Sequence, residues 1–272
     1  MKHRPLNVLV TGASSGVGEA VALQCAKDGA ERLFLCGRNK ERLEKVAVEC
    51  AAAGSQLRVS TQVLDVSDKE AVHSWVERCE AEAPLELVFA NAGVGTGIEN
   101  EENIRRTFAT NVNGCVNTVL PVLAAFRENA VFRRRRQIVI TASIAGYAPL
   151  STCPAYAATK AAMKSWGLSL RGMLRKEGVR VNVLCPGFIR SRITDRNTCP
   201  MPFFMEADKA AEIIIRRVDS DVGLIAFPWP MRFASWLLSV LPWRISELIS
   251  CILPEKTSTG KCGSGSGVDI AF

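Results

Sequence analysis

Tyr156 and Lys160, four positions apart, carry the most suggestive chemistry in the sequence. Residues 154–176 read as a helix, so both side chains project from one face. A free phenol ionises near pH ~10, and a neighbouring ammonium favours the phenolate and moves it toward acid/base range. Ser143 stands thirteen positions earlier, just past the strand-like run QIVIT at residues 137–141. A hydroxyl there could hold a carbonyl oxygen beside the phenol. A Tyr/Lys pair at this spacing is ordinarily a feature of a helix surface. Here Tyr156 is one of only two tyrosines and follows a strand and a loop, which weighs against that reading. The two histidines, His3 and His73, leave little for histidine-based catalysis and, without paired cysteines, form no zinc-ligand pattern.

A second constellation opens the chain. Residues 7–11 (NVLVT) read as a strand, then come Thr11-Gly12-Ala13-Ser14-Ser15-Gly16-Val17-Gly18 and a helix over 17–28. Glycines allow backbone approaches that a Cβ forbids, and a helix N-terminus presents N–H groups and positive dipole to a pyrophosphate. The spacing G-x-x-x-G-x-G meets neither the stricter G-x-G-x-x-G fingerprint nor the P-loop pattern. Gly12, Ser14, Ser15, Gly16, Val17 and Gly18 are expected around the phosphates of a dinucleotide; the plainer alternative is a strand-to-helix turn. At the end of the second strand (32–36), Leu35-Cys36-Gly37-Arg38-Asn39 lacks a carboxylate for ribose hydroxyls. Arg38 is available to a 2′-phosphate, which favours NADP(H) over NAD(H), although it could be a solvated loop cation.

Such residues need a frame, and the chain supplies alternating strands and helices. Further strands are expected at 57–63, 87–90, 137–141, 180–185 and 223–226. Helices are expected at 39–53, 68–82 (capped by Ser67), 101–126, 154–176 and 206–218. The strands show no polar alternate face, as when helices cover both sides of a parallel sheet. The fold class is therefore α/β, a doubly wound parallel sheet of Rossmann-like type. The 272 residues are 48% apolar and 22% charged with a net charge of +7, which excludes a disordered chain or a small disulfide scaffold. Ten cysteines without a C-x-x-C pair fit a reducing cytosol, and the N-terminal residues are not expected to act as a secretory leader. The expected organisation is one domain over 1–226, an apolar helical extension over 227–254 and a flexible Gly/Ser/Thr-rich tail over 255–272.

In combination the pieces resemble the short-chain dehydrogenase/reductase family in its single-domain form. They are TGASSGVG, Asp65-Val66, Asn91-Ala92-Gly93, Asn111, Ser143, Tyr156-x-x-x-Lys160 and Pro186-Gly187, in that order. The resemblance implies a nicotinamide-dependent oxidoreductase acting on a carbonyl or alcohol. Tyr156 would give or take the proton, Lys160 would bind the nicotinamide ribose and lower the tyrosine pKa, and Ser143 would orient the carbonyl. Asn111 would anchor a proton-relay water. Asp65 and Val66 would flank the adenine, Asn91 would stabilise the sheet centre, and Ala92 and Gly93 would let the cofactor approach. After Pro186 and Gly187, Ile189 and Ser191 would meet the carboxamide. Ala142 departs from the second serine common at that place. The alternative from another class is a non-catalytic dinucleotide-binding sensor or scaffold, open to a membrane.

The segment 188–207, with Met201, Phe203, Phe204 and Met205, suits either an apolar pocket wall or a lid packed on the core. Arg190, Arg192 and Arg196 could receive an anion or serve as surface charge. The expected substrate is a small apolar carbonyl or alcohol. Residues 231–253 are rich in Leu, Ile and Trp and are divided by Pro242; a hairpin packed on the sheet, lid or partner subunit is favoured over an interfacial membrane helix. Arg133 to Arg136 reads as a solvated loop and not as a nucleic-acid site. Pairing into a homodimer or homotetramer through helices 101–126 and 154–176 is implied by the resemblance. The expected location is the cytoplasm, with a peripheral membrane contact left open.

Overall fold

The structure, a computed structural model, describes residues 7–54, 56–129, 135–195 and 200–252, and the backbone of 255–256 and 262–263. From the first described residue, short apolar strands alternate with longer helices. β1 (Asn7–Thr11) leads to α1 (Gly16–Lys27), β2 (Arg32–Gly37) to α2 (Lys40–Ala53), and β3 (Arg58–Val63) to α3 (Lys69–Glu82). β4 (Leu87–Ala90) is followed by α4 (Glu101–Phe108), a π-helical segment (Ala109–Asn113) and α5 (Gly114–Glu128). β5 (Arg136–Thr141), α6 (Pro154–Leu174), β6 (Val179–Pro186), the short α7 (Arg192–Asp195), α8 (Ala207–Asp219) and β7 (Leu224–Phe227) complete the alternation. Two further helices, α9 (Trp229–Val240) and α10 (Trp243–Ile252), follow, meeting at Leu241-Pro242.

The seven strands form one parallel sheet in the order β3-β2-β1-β4-β5-β6-β7. Period-two alternation sorts the side chains between two cores. Leu9, Val88 and Ile138 pack with α3, α5 and α6, and Val8, Val10 and Val139 pack with α1, α2 and α8. Strand order reverses between β1 and β4, which opens a crevice at their carboxyl ends, the place where such sheets bind ligands. The sheet, its direction and its helical layers agree with the fold class read from the sequence.

Four details differ from expectation. β3 lies at the sheet edge and none of its residues is fully buried, so it lacks the uniformly apolar character of the other strands. α3 is capped by Asp68, whose carboxylate accepts from Ala71 N at 3.0 Å, while Ser67 is turned toward Asp65. The helix expected over 101–126 is interrupted by the π segment. The arginine run is not a solvated loop where it is described. Arg135 pairs with Asp219 at 3.1 Å, and the buried Arg136 opens β5 and donates to the Phe126 carbonyl. Burial is affordable there because each guanidinium meets acceptors. Arg133 and Arg134 lie outside the described residues, as does most of the tail over 255–272.

Candidate active site

Every segment singled out for chemistry converges on the carboxyl ends of the strands. Thr11 closes β1, and its Oγ1 donates to the Phe89 carbonyl (3.2 Å) while accepting from the backbone N–H groups of Asn91 (3.0 Å) and Ala92 (3.1 Å). Asn91 Nδ2 returns a bond to the Thr11 carbonyl at 3.1 Å. These bonds weld the centre of the sheet, the role expected for Asn91; Thr11 is an equal partner that sequence reasoning missed. Gly12 takes φ +69°, and a Cβ there would sit 2.7 Å from Ala92 Cα, so only glycine lets the two loops touch. Ser14 lies in the turn. Gly16, Val17 and Gly18 form the first turn of α1, capped by Ser15 without a side-chain bond, which leaves the amides there to an anion.

At the adenosine end, two candidates meet each other. Arg38 Nη1 lies 3.3 Å from Asp65 Oδ2, and Asp65 Oδ1 accepts from Ser67 N (2.9 Å) and Oγ (2.8 Å). Burial works against the charge on Asp65, but the Ser67 donors and the Arg38 guanidinium hold its carboxyl below the usual range. Val66 is buried, and its carbonyl accepts from Asn117 Nδ2 at 2.9 Å. The expectation gave Asp65 to the adenine amino group and Arg38 to a 2′-phosphate; the two are paired with one another.

The π segment carries Asn111. Its side chain is fully engaged: Oδ1 accepts from Val94 N (2.8 Å), and Nδ2 donates to the Val94 carbonyl (3.0 Å) and Thr159 Oγ1 (3.0 Å). Thr159 in turn donates to the Tyr156 carbonyl at 2.8 Å. Asn111 thus ties the loop after β4, which carries Gly93, to the helix that carries the tyrosine. A π turn inserted in an α-helix commonly marks a functional position, and here it aims one side chain at two walls.

Tyr156 and Lys160 occupy the first turns of α6, as the spacing predicts. Pro154 opens the helix and Ala155 N donates to Glu99 Oε1 at 3.0 Å, so a carboxylate from the β4–α4 loop caps its N-terminus. Ser143 begins the 3₁₀ turn Ile144–Gly146 after β5; its Oγ accepts from Ala145 N at 3.1 Å, donates to the Pro186 carbonyl at 3.5 Å, and stands by the Tyr156 phenol, whose ionised form it favours. Gly146 lies flat on α6: a Cβ there would come within 2.6 Å of the Lys160 carbonyl group. Lys160 Nζ is buried, donates to the Thr141 carbonyl at 2.9 Å and lies 5.6 Å from the Tyr156 ring centroid. Desolvation pulls its ammonium down to about 8, and desolvation pushes the Tyr156 phenol up to about 12 against the opposing influence of Ser143. The lysine is held by a main-chain carbonyl, a partner the resemblance did not name.

The far side of the crevice is built by the chain after β6. Pro186 ends that strand, and Gly187 N donates to the Phe227 carbonyl at 2.8 Å. Ile189 is buried and bridges to Met205, and Ser191 N donates to Thr194 Oγ1 (2.8 Å) at the start of α7. Phe203 and Phe204 are exposed and Met205 packs on the core. Arg190 is committed to Glu206 at 2.6 Å and stacks on Phe204. Arg196 and the side chain of Arg192 lie outside the described residues. α9 adds a wall: Met231 Sδ would lie 2.9 Å from a Cβ on Gly187, and the helix reaches the Ile144–Gly146 turn.

A sequence profile of the family described as short chain dehydrogenase matches residues 6–200. The chain belongs to the short-chain dehydrogenase/reductase family. An uncharacterized oxidoreductase of Myxococcus xanthus is similar to this enzyme, 38% identical over 240 residues, covering 86% of this chain and 92% of its own. A short-chain dehydrogenase from Sphingobium yanoikuyae in complex with NADPH superposes with a TM-score of 0.74 at 25% identity, covering 90% of this chain and 95% of that one. The 3-ketoacyl-(acyl-carrier-protein) reductase from Brucella melitensis complexed with NADH superposes at 0.71 and 25% identity, covering 83% and 97%. This chain is therefore an oxidoreductase of a family with solved members that hold either form of nicotinamide cofactor. The residues present fit that group: an open helix N-terminus for phosphate, a glycine contact a Cβ would block, and a proton-bearing phenol beside a hydroxyl.

Proposed function

We propose that the enzyme prefers NADP(H) and interconverts a carbonyl and an alcohol on a small apolar substrate, with Tyr156 handling the proton. The observation that carries this is the gathering of the Tyr156 phenol, Ser143 and the buried Lys160, whose Nζ lies 5.6 Å from the tyrosine ring centroid, at the switch point of the sheet. The bound nicotinamide supplies the hydride in reduction and accepts it in oxidation. Tyr156 donates its proton to the substrate oxygen in reduction and removes it in oxidation, while Ser143 holds that oxygen in line. Lys160, whose Nζ donates to the Thr141 carbonyl and lies 5.6 Å from the tyrosine ring centroid, would turn to the nicotinamide ribose. Asn111 keeps the β4 loop and α6 at a fixed separation. Gly12 and the first turn of α1 would hold the pyrophosphate; Val66 and Asp65 the adenine; Ile189 and Ser191 the carboxamide.

Turnover of NADPH with a panel of apolar ketones tests the reading, and any turnover removes a scaffold role. Tyr156→Phe is expected to lower kcat about 100- to 10,000-fold with NADPH binding kept; an active Phe variant overturns the assignment. The NADP(H) preference rests on Arg38, which must leave Asp65 for a 2′-phosphate. Arg38→Ala is expected to weaken NADPH binding about ten- to a hundredfold, as for loss of a charged hydrogen bond, with NADH binding little changed. Equal loss for both cofactors would locate Arg38 elsewhere.

Assembly as a dimer or tetramer through α4–α5 and α6 is supported by exposed apolar side chains on those helices: Phe108, Leu120, Leu168 and Met173.

A further inference from the structure

The hairpin made by α9 and α10 is turned inside out. None of the residues of α9 is buried. Trp229 is 76% exposed, Trp236 48% and Trp243 69%, and Phe233, Leu237, Val240, Leu248 and Ile249 are exposed with them. In α10 the buried positions are serines. Ser246 and Ser250 are buried: Ser246 Oγ donates to the Leu238 carbonyl at 2.7 Å, closing the hairpin on itself. Ser250 and Ser151 bind each other through Ser151 N to Ser250 Oγ (2.8 Å) and Ser151 Oγ to the Ser250 carbonyl (2.8 Å). A helix surrounded by water buries its large apolar side chains and exposes its serines. This hairpin does the reverse, while its polar bonds fix it to the loop that precedes α6.

The composition of the outer face indicates what covers it. Three of the five tryptophans in the chain fall within residues 229–243, and tryptophan is enriched where a hydrocarbon layer meets water. The only charges over 229–252 are Arg232, Arg244 and Glu247, a surplus of one cation in a chain of net charge +7. A surface of anionic lipid complements it. The helices hold only 12 and 10 residues, and among the described residues no helix is long and apolar enough to cross a membrane, so the fit is to the plane of the interface.

We propose that the α9–α10 hairpin docks the protein on an anionic phospholipid surface, with Trp229, Trp236 and Trp243 set among the headgroups. The proposal stands apart from the cofactor and substrate reading, and its test does not use activity. The purified full chain is mixed with vesicles of phosphatidylcholine alone or with phosphatidylglycerol and sedimented, and tryptophan emission is recorded. Wild-type protein is expected to sediment with the anionic vesicles, more weakly at raised salt, with emission shifted to the blue. The Trp229→Ser/Trp236→Ser/Trp243→Ser variant, its fold checked by circular dichroism, is expected to lose at least about tenfold in vesicle affinity. Arg244→Gln should weaken binding to the anionic vesicles alone. Wild-type protein that stays in the supernatant with both vesicle types overturns the proposal, as does a triple variant that binds equally well. If the wild type ignores vesicles and the triple variant instead breaks an oligomer, the face belongs to a second copy and the proposal fails.

Discussion

At the scale of the residue, the proton donor is held in its acid form by its surroundings. Desolvation pushes the Tyr156 phenol up to about 12, and the ammonium that could oppose this is itself drawn down to about 8 and turned toward the Thr141 carbonyl. A donor that keeps its proton at neutral pH suits reduction. The sign follows directly: a phenol raised above its ordinary value stays neutral through neutral pH and ionises only as pH climbs toward 12. The chain offers a clean measurement, because Tyr147→Phe leaves Tyr156 as the sole tyrosine. In that variant without cofactor, phenolate absorbance is expected to be absent below pH ~10; a midpoint near neutrality would contradict the burial argument. Tyr156, Lys160 and Ser143 were legible in the sequence because their types and spacing are chemical statements. The Thr141 carbonyl was not, since a main-chain acceptor has no side-chain signature. Thr11 and Thr159 lay inside recognised motifs, yet their work is to bond other site residues, which only the fold reveals.

At the scale of the element, the two ends of one helical stretch were legible and its middle was not. The apolar pattern runs on through residues 101–126, and one looser turn does not erase it, so the π segment that aims Asn111 left no mark. Likewise Ser67 and Asp68 are both good caps, and only the loop path decides between them. The cap of α6 comes from Glu99, 56 positions before Ala155, a distance no local rule covers. Glu99→Ala removes the acceptor of that orphan N–H and a negative charge from the positive end of the helix. It should cost about 1 kcal/mol of stability in urea unfolding. It should also lower kcat with cofactor affinity retained, because the first turn that it steadies holds Tyr156.

At the scale of the molecule, chemistry gathers at one end of the sheet and ionic cross-links at the other. Arg171 of α6 grips Asp221 with bonds of 2.8 and 3.1 Å and also donates to the Val181 carbonyl, while Asn182 joins the same carboxylate at 3.3 Å. Burial opposes the charge on Asp221, but Arg171, Asn182 and Arg180 together hold its carboxyl below the usual range. A lowered folded value means the contribution is complete above the ordinary aspartate pKa of ~4 and vanishes as pH falls through the folded one. Arg171→Ala is expected to destabilise the protein by about 1–3 kcal/mol at pH ~7, with the gap to wild type narrowing below pH ~4 in urea melts. The architecture of this sheet was readable from strand–helix alternation. The fate of the arginine run was not, because sequence shows charge without showing that Asp219 and the Phe126 carbonyl wait for it.

The contact of Gly146 with the Lys160 backbone has a consequence for tolerances. The turn that begins at Ser143 rests directly on the helix that carries Tyr156, with no side chain between them at that point. The gap between the two hydroxyls is therefore gauged by a missing methyl group. Any larger residue at 146 would act as a shim, tilting serine and tyrosine out of common reach of one oxygen while leaving each intact.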